Sequence, residues 1–323
     1  MENSACCGEK LFSDPKYQGR VHRVLNYVTQ LLLPTVKLNR VSKLFPCIMI
    51  DAIQALILGI VQGLTEWLPI SSSGHLALVQ LAMNLQVPIF FDIVLHLGTL
   101  GAVIGVYRRE LLSILKSVIP VHQKNSNNTE VDLKNIKWGR RYLLLIILGM
   151  VPTALMGVGF RSIFEESFYS MWSLGLGFII SGAMIFVTRF IGKGTNSVGK
   201  LDAFLIGIGQ GLSIFSSISR SGATISIGMF RHIERSELIT YSFLLSIPAI
   251  LGAGLYDLVF AGNIPQVEIY QIPLESYIIG ILSAGAVGYV SIRFLISIIN
   301  KGEFYLFSFY CFLIGSLILV SLI

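Results

Sequence analysis

Two stretches apolar enough to enter a membrane are each broken in the middle by a serine-rich segment, and that pairing restricts the fold more than any other feature of the chain. The first, residues 50–83, contains QGLTEWLPISSSGH (62–75); the second, residues 203–230, contains GQGLSIFSSISRSGAT (209–224). A Pro-Ile-Ser-Ser-Ser-Gly run ends a helix partway, and a bilayer tolerates that only where protein or a wet cavity satisfies the freed backbone groups. Ionisable side chains are also expensive in hydrocarbon, so Glu66, His75 and Arg220 inside these stretches mark a functional site by default.

The surrounding sequence sets the class. Of 323 residues 54% are hydrophobic and 13% charged, with a mean hydropathy of +0.73. The apolar runs recur to the end, so the chain reads as an all-α polytopic membrane protein rather than a soluble domain. Six runs are long enough to span: about 91–107, 142–160, 172–190, 238–260, 277–292 and 305–323. The net charge of +6 resides in short segments between these runs, where it reports orientation, and a nucleic-acid partner is excluded on that ground. Cys6, Cys7, Cys47 and Cys311 have neither ligand spacing nor a disulfide framework and receive no role.

Residues 1–48 differ from the rest, being polar and basic with one short apolar run, Leu31–Leu33. They lack the apolar core of a signal peptide. Met49 directly precedes the first membrane-like run, so the leader is read as an upstream extension and Met49 as the natural start.

Loop charges test whether the two broken stretches cross the membrane or turn back. Residues 108–141 carry Arg108, Arg109, Lys116, Lys124, Lys134, Lys137, Arg140 and Arg141, which places this segment in the cytoplasm. Lys193 and Lys200 then fall on the same side. If 203–230 enters and leaves from the cytoplasm, Arg231, Arg235, Arg293 and Lys301 lie inside and the uncharged-by-Lys/Arg segment 261–276 lies outside. A single crossing there inverts every later loop. Both broken stretches are therefore expected to be re-entrant helical hairpins, the first on the outer side.

The chain also repeats itself. Shifted by 148 residues, GIVQGLTEWLPISSSG (59–74) lies over GIGQGLSIFSSISRSG (207–222), with identities at Gly59, Ile60, Gln62, Gly63, Leu64, Ile70, Ser71, Ser73 and Gly74. Near a shift of 150, Phe91–His96 lies over Tyr241–Ser246. The expected organisation is a first repeat at 49–190 and a second at 191–323, each a hairpin followed by three spans. An odd number of spans inverts one repeat relative to the other, and folds of this kind bring broken helices together near the midplane. Equivalent positions have diverged in complementary ways: Glu66 meets Ile214, Ser72 meets Arg220 and His75 meets Ala223.

These residues suit an anion. Each break reads Ser-x-Ser-Gly into a helix, gathering Ser71, Ser73, Ser219 and Ser221 with free backbone N–H groups at helix N-termini. Arg220 adds a planar charged fork for phosphate oxygens, and Thr224 lies one turn on. His75 suits general acid–base work, and Glu66 either holds a divalent cation or tunes His75. Ser72 supplies a hydroxyl nucleophile. Packing by small residues explains any one serine, but not Glu66, His75 and Arg220 on paired breaks. Asp92 and His96, at the start of a span, read as packing or interface groups as readily as site groups.

QGLTEWLPISSSGH and SISRSGAT (217–224) together resemble the two signatures of the undecaprenyl-diphosphate phosphatases, membrane enzymes tied to bacitracin resistance. The resemblance extends from about Met49 to the C-terminus, including VPTALMG (151–157) and SFLLSIP (242–248). It implies hydrolysis of a polyprenyl diphosphate to the monophosphate in the cell membrane, at a site opening outward, with a divalent cation (Mg2+ or Ca2+). By position it implies an essential acid at Glu66, a nucleophile at Ser72, an essential histidine at His75, and phosphate binding by Ser219, Arg220, Ser221 and Thr224. Two departures stand out: Gln62 replaces a frequent Glu, weakening it as a metal ligand, and Ser216-Ser217 replaces the usual Pro-Gly, removing a preset φ and a permissive glycine.

The competing reading is a transporter or flippase of isoprenoid phosphates, since inverted repeats with broken helices are transporter architecture. The expected discriminator is His75 beside Ser72 and Glu66, because carriage needs a charged cradle and hydrolysis an acid–base group. A phosphatase of the phosphatidic-acid type is disfavoured because its histidine after the arginine is missing here. The partners expected are a polyprenyl diphosphate and membrane lipid, and a homo-oligomer remains open.

Overall fold

A computed structural model describes residues 50–85, 87–118, 130–160, 170–215, 217–260 and 272–322. The leader and Ser216 lie outside them. The described residues form α-helices and short 3-10 turns, with one isolated parallel bridge between Asn196 and Ile233. The helices are α1 (Ala52–Trp67), α2 (Ser72–Ala82), α3 (Ile89–Val106), α4 (Arg108–Val118), α5 (Glu130–Gly159), α6 (Met171–Val187), α7 (Lys200–Leu212), α8 (Arg220–Phe230), α9 (Arg235–Phe260), α10 (Leu274–Lys301) and α11 (Phe307–Val320).

Five are long and apolar enough to cross a bilayer, over Ile89–Val106, Lys134–Gly159, Met171–Phe190, Arg235–Tyr256 and Leu274–Lys301. The sixth expected span, 305–323, is instead a shorter apolar helix over Phe304–Val320 whose first turn is 3-10. The basic segment 108–141, read as a loop, holds α4 and the first part of α5. In α4, Ile114 and Ser117 are buried while Leu112, Leu115 and Val118 are exposed, and Arg140 Nε donates to the Ser117 carbonyl at 3.2 Å. Leu111, Leu112, Ile114, Leu115 and Val118 keep helical spacing, but the charged residues among them lower the hydropathy of the segment and conceal the helix.

Both broken stretches are helix–break–helix units. α1 starts at a capping box in which Asp51 accepts from the Gln54 amide at 2.7 Å and Gln54 accepts from the Asp51 amide at 3.0 Å. It ends at Leu68 before Pro69, whose ring cannot continue a helix. Ser71 and Ser219 are the N-caps of α2 and α8, accepting from the amides of Gly74 (3.3 Å) and Gly222 (3.1 Å). The equivalent serines of the repeat therefore do equivalent structural work.

Helices equivalent in the repeat also make equivalent contacts, exchanged between the halves. α1 packs on α10 and α7 packs on α5, while α3 meets α10 and α9 meets α5. Small residues permit these crossings: a Cβ on Gly207 would collide with the Gly149 backbone, and one on Gly63 would come within 2.8 Å of Val287. α6 and α11 pair with each other. The large core joins both halves through Trp67, Leu100, Tyr142, Ile225, Tyr241, Phe243 and Ile292. Outward faces such as Ile53, Leu155, Leu282 and Val290 remain apolar and exposed, as a lipid-facing surface requires.

Candidate functional site

The two breaks meet. Ser221 Oγ donates to the Leu68 carbonyl at 3.1 Å, Cys311 Sγ lies 3.5 Å from the Pro69 carbonyl, and Ser219 N–H donates to Ser181 Oγ at 2.8 Å. These contacts fix the first break against α8 and α11 and the second against α6.

At the junction Glu66, buried at the end of α1, is surrounded by donors. Arg220 Nη2 donates to Oε1 at 2.8 Å, while Ser72 Oγ and Gln62 Nε2 donate to Oε2 at 2.5 and 3.0 Å. Burying this carboxylate unpaired would cost several kcal/mol, roughly what breaking the pair would cost, ~3–5 kcal/mol. Arg220 lies with its guanidinium 5.3 Å from the Trp67 ring, and Trp67 packs edge-on against Phe243 at 5.2 Å. Arg220 Nη1 is buried and has no hydrogen-bond partner among the described residues. An unpaired buried donor of a cation is a standing cost of about 1–3 kcal/mol that an arriving anion removes.

The histidine beside Glu66 is His96, whose Nε2 lies 3.6 Å from Oε2. Its Nδ1 is 2.8 Å from the Asp92 carbonyl, and Asp92 itself accepts from Gln80 at 3.0 Å. A carbonyl only accepts, so Nδ1 carries the hydrogen and Nε2 is turned to the carboxylate. His75 does not join this cluster, contrary to the expected tuning of His75 by Glu66. It shares the first turn of α2 with Ser72, but its Nε2 is 2.7 Å from the Tyr310 hydroxyl and its Nδ1 2.7 Å from the Ser71 carbonyl. The α2 start allows this because Ser71 has φ +69°, outside the conformation that would continue the chain as a helix.

The remaining expected residues are placed as follows. Ser73 Oγ lies 3.4 Å from Ser71 Oγ, and Ser219 Oγ 3.3 Å from Ser221 Oγ. Thr224 is turned from the junction, donating to the Arg220 carbonyl (2.9 Å) and sharing a hydrogen bond with Ser242 (2.6 Å). The structure thus brings Glu66, Ser72 and Arg220 together, keeps Ser71, Ser219 and Ser221 as caps and ties at the same junction, and sets His75 and Thr224 on other partners. Sequence reasoning undervalued His96 and missed Tyr310. His96 carried a signal, lying on the helix side that faces the first break; Tyr310, among aromatic residues of the last apolar run, carried none.

For a metal, no group of three His, Cys, Asp or Glu side chains is placed to hold one among the described residues. What the junction offers is the Glu66 carboxylate and the buried amide oxygen of Gln62, which has no partner. One carboxylate and one neutral oxygen fit a hard divalent cation that takes its other ligands from phosphate and water. Beside the junction, an apolar groove of about 340 Å³ is lined by Ile70, Phe294, Ile298, Leu306, Phe307 and Tyr310.

Apolar helices long enough to cross a bilayer, and two broken helices whose breaks bring an acid, an arginine and a hydroxyl together, define a multi-pass membrane protein built around a buried polar junction. The chain belongs to the bacitracin resistance protein BacA family, whose model matches residues 55–317. It is 42% identical to the undecaprenyl-diphosphatase of Carboxydothermus hydrogenoformans, over 84% of this chain and 97% of that one. It is 39% identical to that of Desulfosudis oleivorans, over 83% and 98%, and 40% identical to that of Korarchaeum cryptofilum, over 82% and 97%.

Proposed function

We propose that the chain is an undecaprenyl-diphosphatase, hydrolysing the phosphoric anhydride of a long polyprenyl diphosphate to the monophosphate and inorganic phosphate. The observation that carries this reading is the Arg220–Glu66 pair, with Ser72 donating to the same carboxylate and Arg220 Nη1 unpaired. Family membership favours it over a transporter.

In this reading the terminal phosphate takes Nη1 of Arg220 and lies at the N-terminus of α2, where the dipole favours an anion. Ser72 Oγ attacks phosphorus, Glu66 takes its proton, and the bond to the bridging oxygen breaks to release the monophosphate. Water then hydrolyses the phosphoserine, with His75 accepting its proton. Ser71, Ser73, Ser219 and Ser221 form the walls of the junction, and Thr224 acts indirectly by holding the first turn of α8. Glu66 and Gln62 would hold a divalent cation, Mg2+ or Ca2+, whose chemistry is to neutralise charge on the diphosphate oxygens.

The arrangement in the bilayer follows the same reading. Each broken stretch is a re-entrant hairpin, the repeats are inverted, the basic segment with α4 faces the cytoplasm, and the site opens to the outer face of the cell membrane.

The test is phosphate release from a long-chain polyprenyl diphosphate by the purified protein in detergent, with and without a chelator. Release that disappears with the chelator and in the His75→Ala variant supports the reading. Lipid binding without release by folded protein would leave the transporter as the better account.

A further inference from the structure

His75 has both ring nitrogens engaged, by groups of different kinds. Its Nδ1 lies 2.7 Å from the Ser71 carbonyl oxygen, which can only accept, so Nδ1 bears the hydrogen. Nε2 of the neutral ring is then an acceptor, and the group 2.7 Å from it is the Tyr310 hydroxyl, 235 residues away in sequence. The two rings are stacked, with centroids 5.6 Å apart and planes 13° apart, and Phe178 packs edge-on against the imidazole at 5.2 Å. No charged side chain forms a hydrogen bond or ion pair with His75 among the described residues. The ring's tautomer and orientation are thus set by one carbonyl, one hydroxyl and two aromatic faces.

Tyr310 also belongs to the wall of the apolar groove with Ile70 and Phe307. It is held there by its own helix: Cys311, the next residue, is buried against the Pro69 carbonyl, and α11 is paired along α6. The hydroxyl therefore reaches His75 from a rigid support and not from a free end, the arrangement that fixes a histidine's reactive nitrogen.

We propose that Tyr310 is a positioning residue for His75, its hydroxyl donating to Nε2 and so fixing the orientation of the imidazole at the end of the groove. The proposal rests on the reading of His75 as the acid–base group of the diphosphatase. A tyrosine that only packs there would be replaced by phenylalanine without consequence, since the stacked ring is retained.

The experiment uses the whole chain in detergent with a long-chain polyprenyl diphosphate, comparing Tyr310→Phe with the parent and with His75→Ala. Tyr310→Phe is expected to lower kcat about tenfold with KM within twofold and thermal stability unchanged, the size of loss typical when a partner orienting a reactive histidine is removed. A second readout is the 15N spectrum of the imidazole of His75, assigned by its loss in His75→Ala: in Tyr310→Phe the Nε2 resonance moves downfield, as an acceptor nitrogen does on losing its donor. Parent-like kcat together with an unchanged 15N spectrum would overturn the proposal, as would a fall in kcat matched by a fall in melting temperature. If His75→Ala hydrolyses normally, the acid–base reading of His75 fails instead, while the 15N comparison still decides whether Tyr310 donates to Nε2.

Discussion

Arg220, the first residue of α8, donates to Glu66, the penultimate residue of α1, at 2.8 Å across 154 residues of sequence. The pair joins two stretches whose similarity makes their one charged difference conspicuous, an acid on one and a cation on the other. It also leaves one arm of the guanidinium unpaired, so the arginine is anchored by protein and still open to an anion.

Replacing Arg220 by Lys keeps a charge but loses the fork that serves Glu66 and a phosphate oxygen together. We expect at least about a hundredfold loss of kcat/KM for Arg220→Lys. Equal activity in a phosphate-release assay would show that only the charge matters.

Glu66→Gln leaves Arg220 buried without its counterion, a change expected to cost about 3–5 kcal/mol of stability as well as activity. The double variant Glu66→Gln with Arg220→Met should recover stability and remain inactive. Thermal unfolding of the three proteins in detergent separates the two effects; additive losses in the double variant contradict the pairing.

His96 faces the same carboxylate oxygen as Ser72. His96→Gln keeps a polar side chain beside the carboxylate and should retain most activity, whereas His96→Ala should lose about tenfold. If Ala and Gln behave alike, the 3.6 Å approach of His96 to Glu66 has no functional weight.

Ser217 lies in the left-handed region at φ +64°, and its hydroxyl is buried with no partner. A non-glycine residue there costs about 1–2 kcal/mol, and the unpaired hydroxyl adds to it. Ser217→Gly should raise stability by about 1 kcal/mol, and a lower melting temperature in that variant would contradict the argument.

Much of this was legible in the sequence, for identifiable reasons. Apolar run length located the five long helices, and the 148-residue repeat set Glu66 and Arg220 on paired breaks. The partners of His75 were not legible, because i, i+3 spacing with Ser72 says that the two share a helix side but not which helix covers it. α11 covers it, and a tyrosine in an aromatic run has no pattern that separates a site residue from packing. The last apolar run, expected over 305–323, is an apolar helix over Phe304–Val320 that begins with a 3-10 turn and ends at Ser321. α4 was hidden because the charged residues among its helically spaced apolar ones lower the hydropathy of the segment.

The exchanged packing of the halves sets the order of events during synthesis. α1 rests on α10, and Ser276 Oγ donates to the Ile50 carbonyl 226 residues earlier. The first broken helix therefore emerges from the ribosome long before its main support exists, and the insertion machinery must shelter Glu66 until Arg220 and then α10 arrive. Shortened chains ending before α10 should be recognised by membrane quality control, and the anion site should come into being only in the last moments of biogenesis.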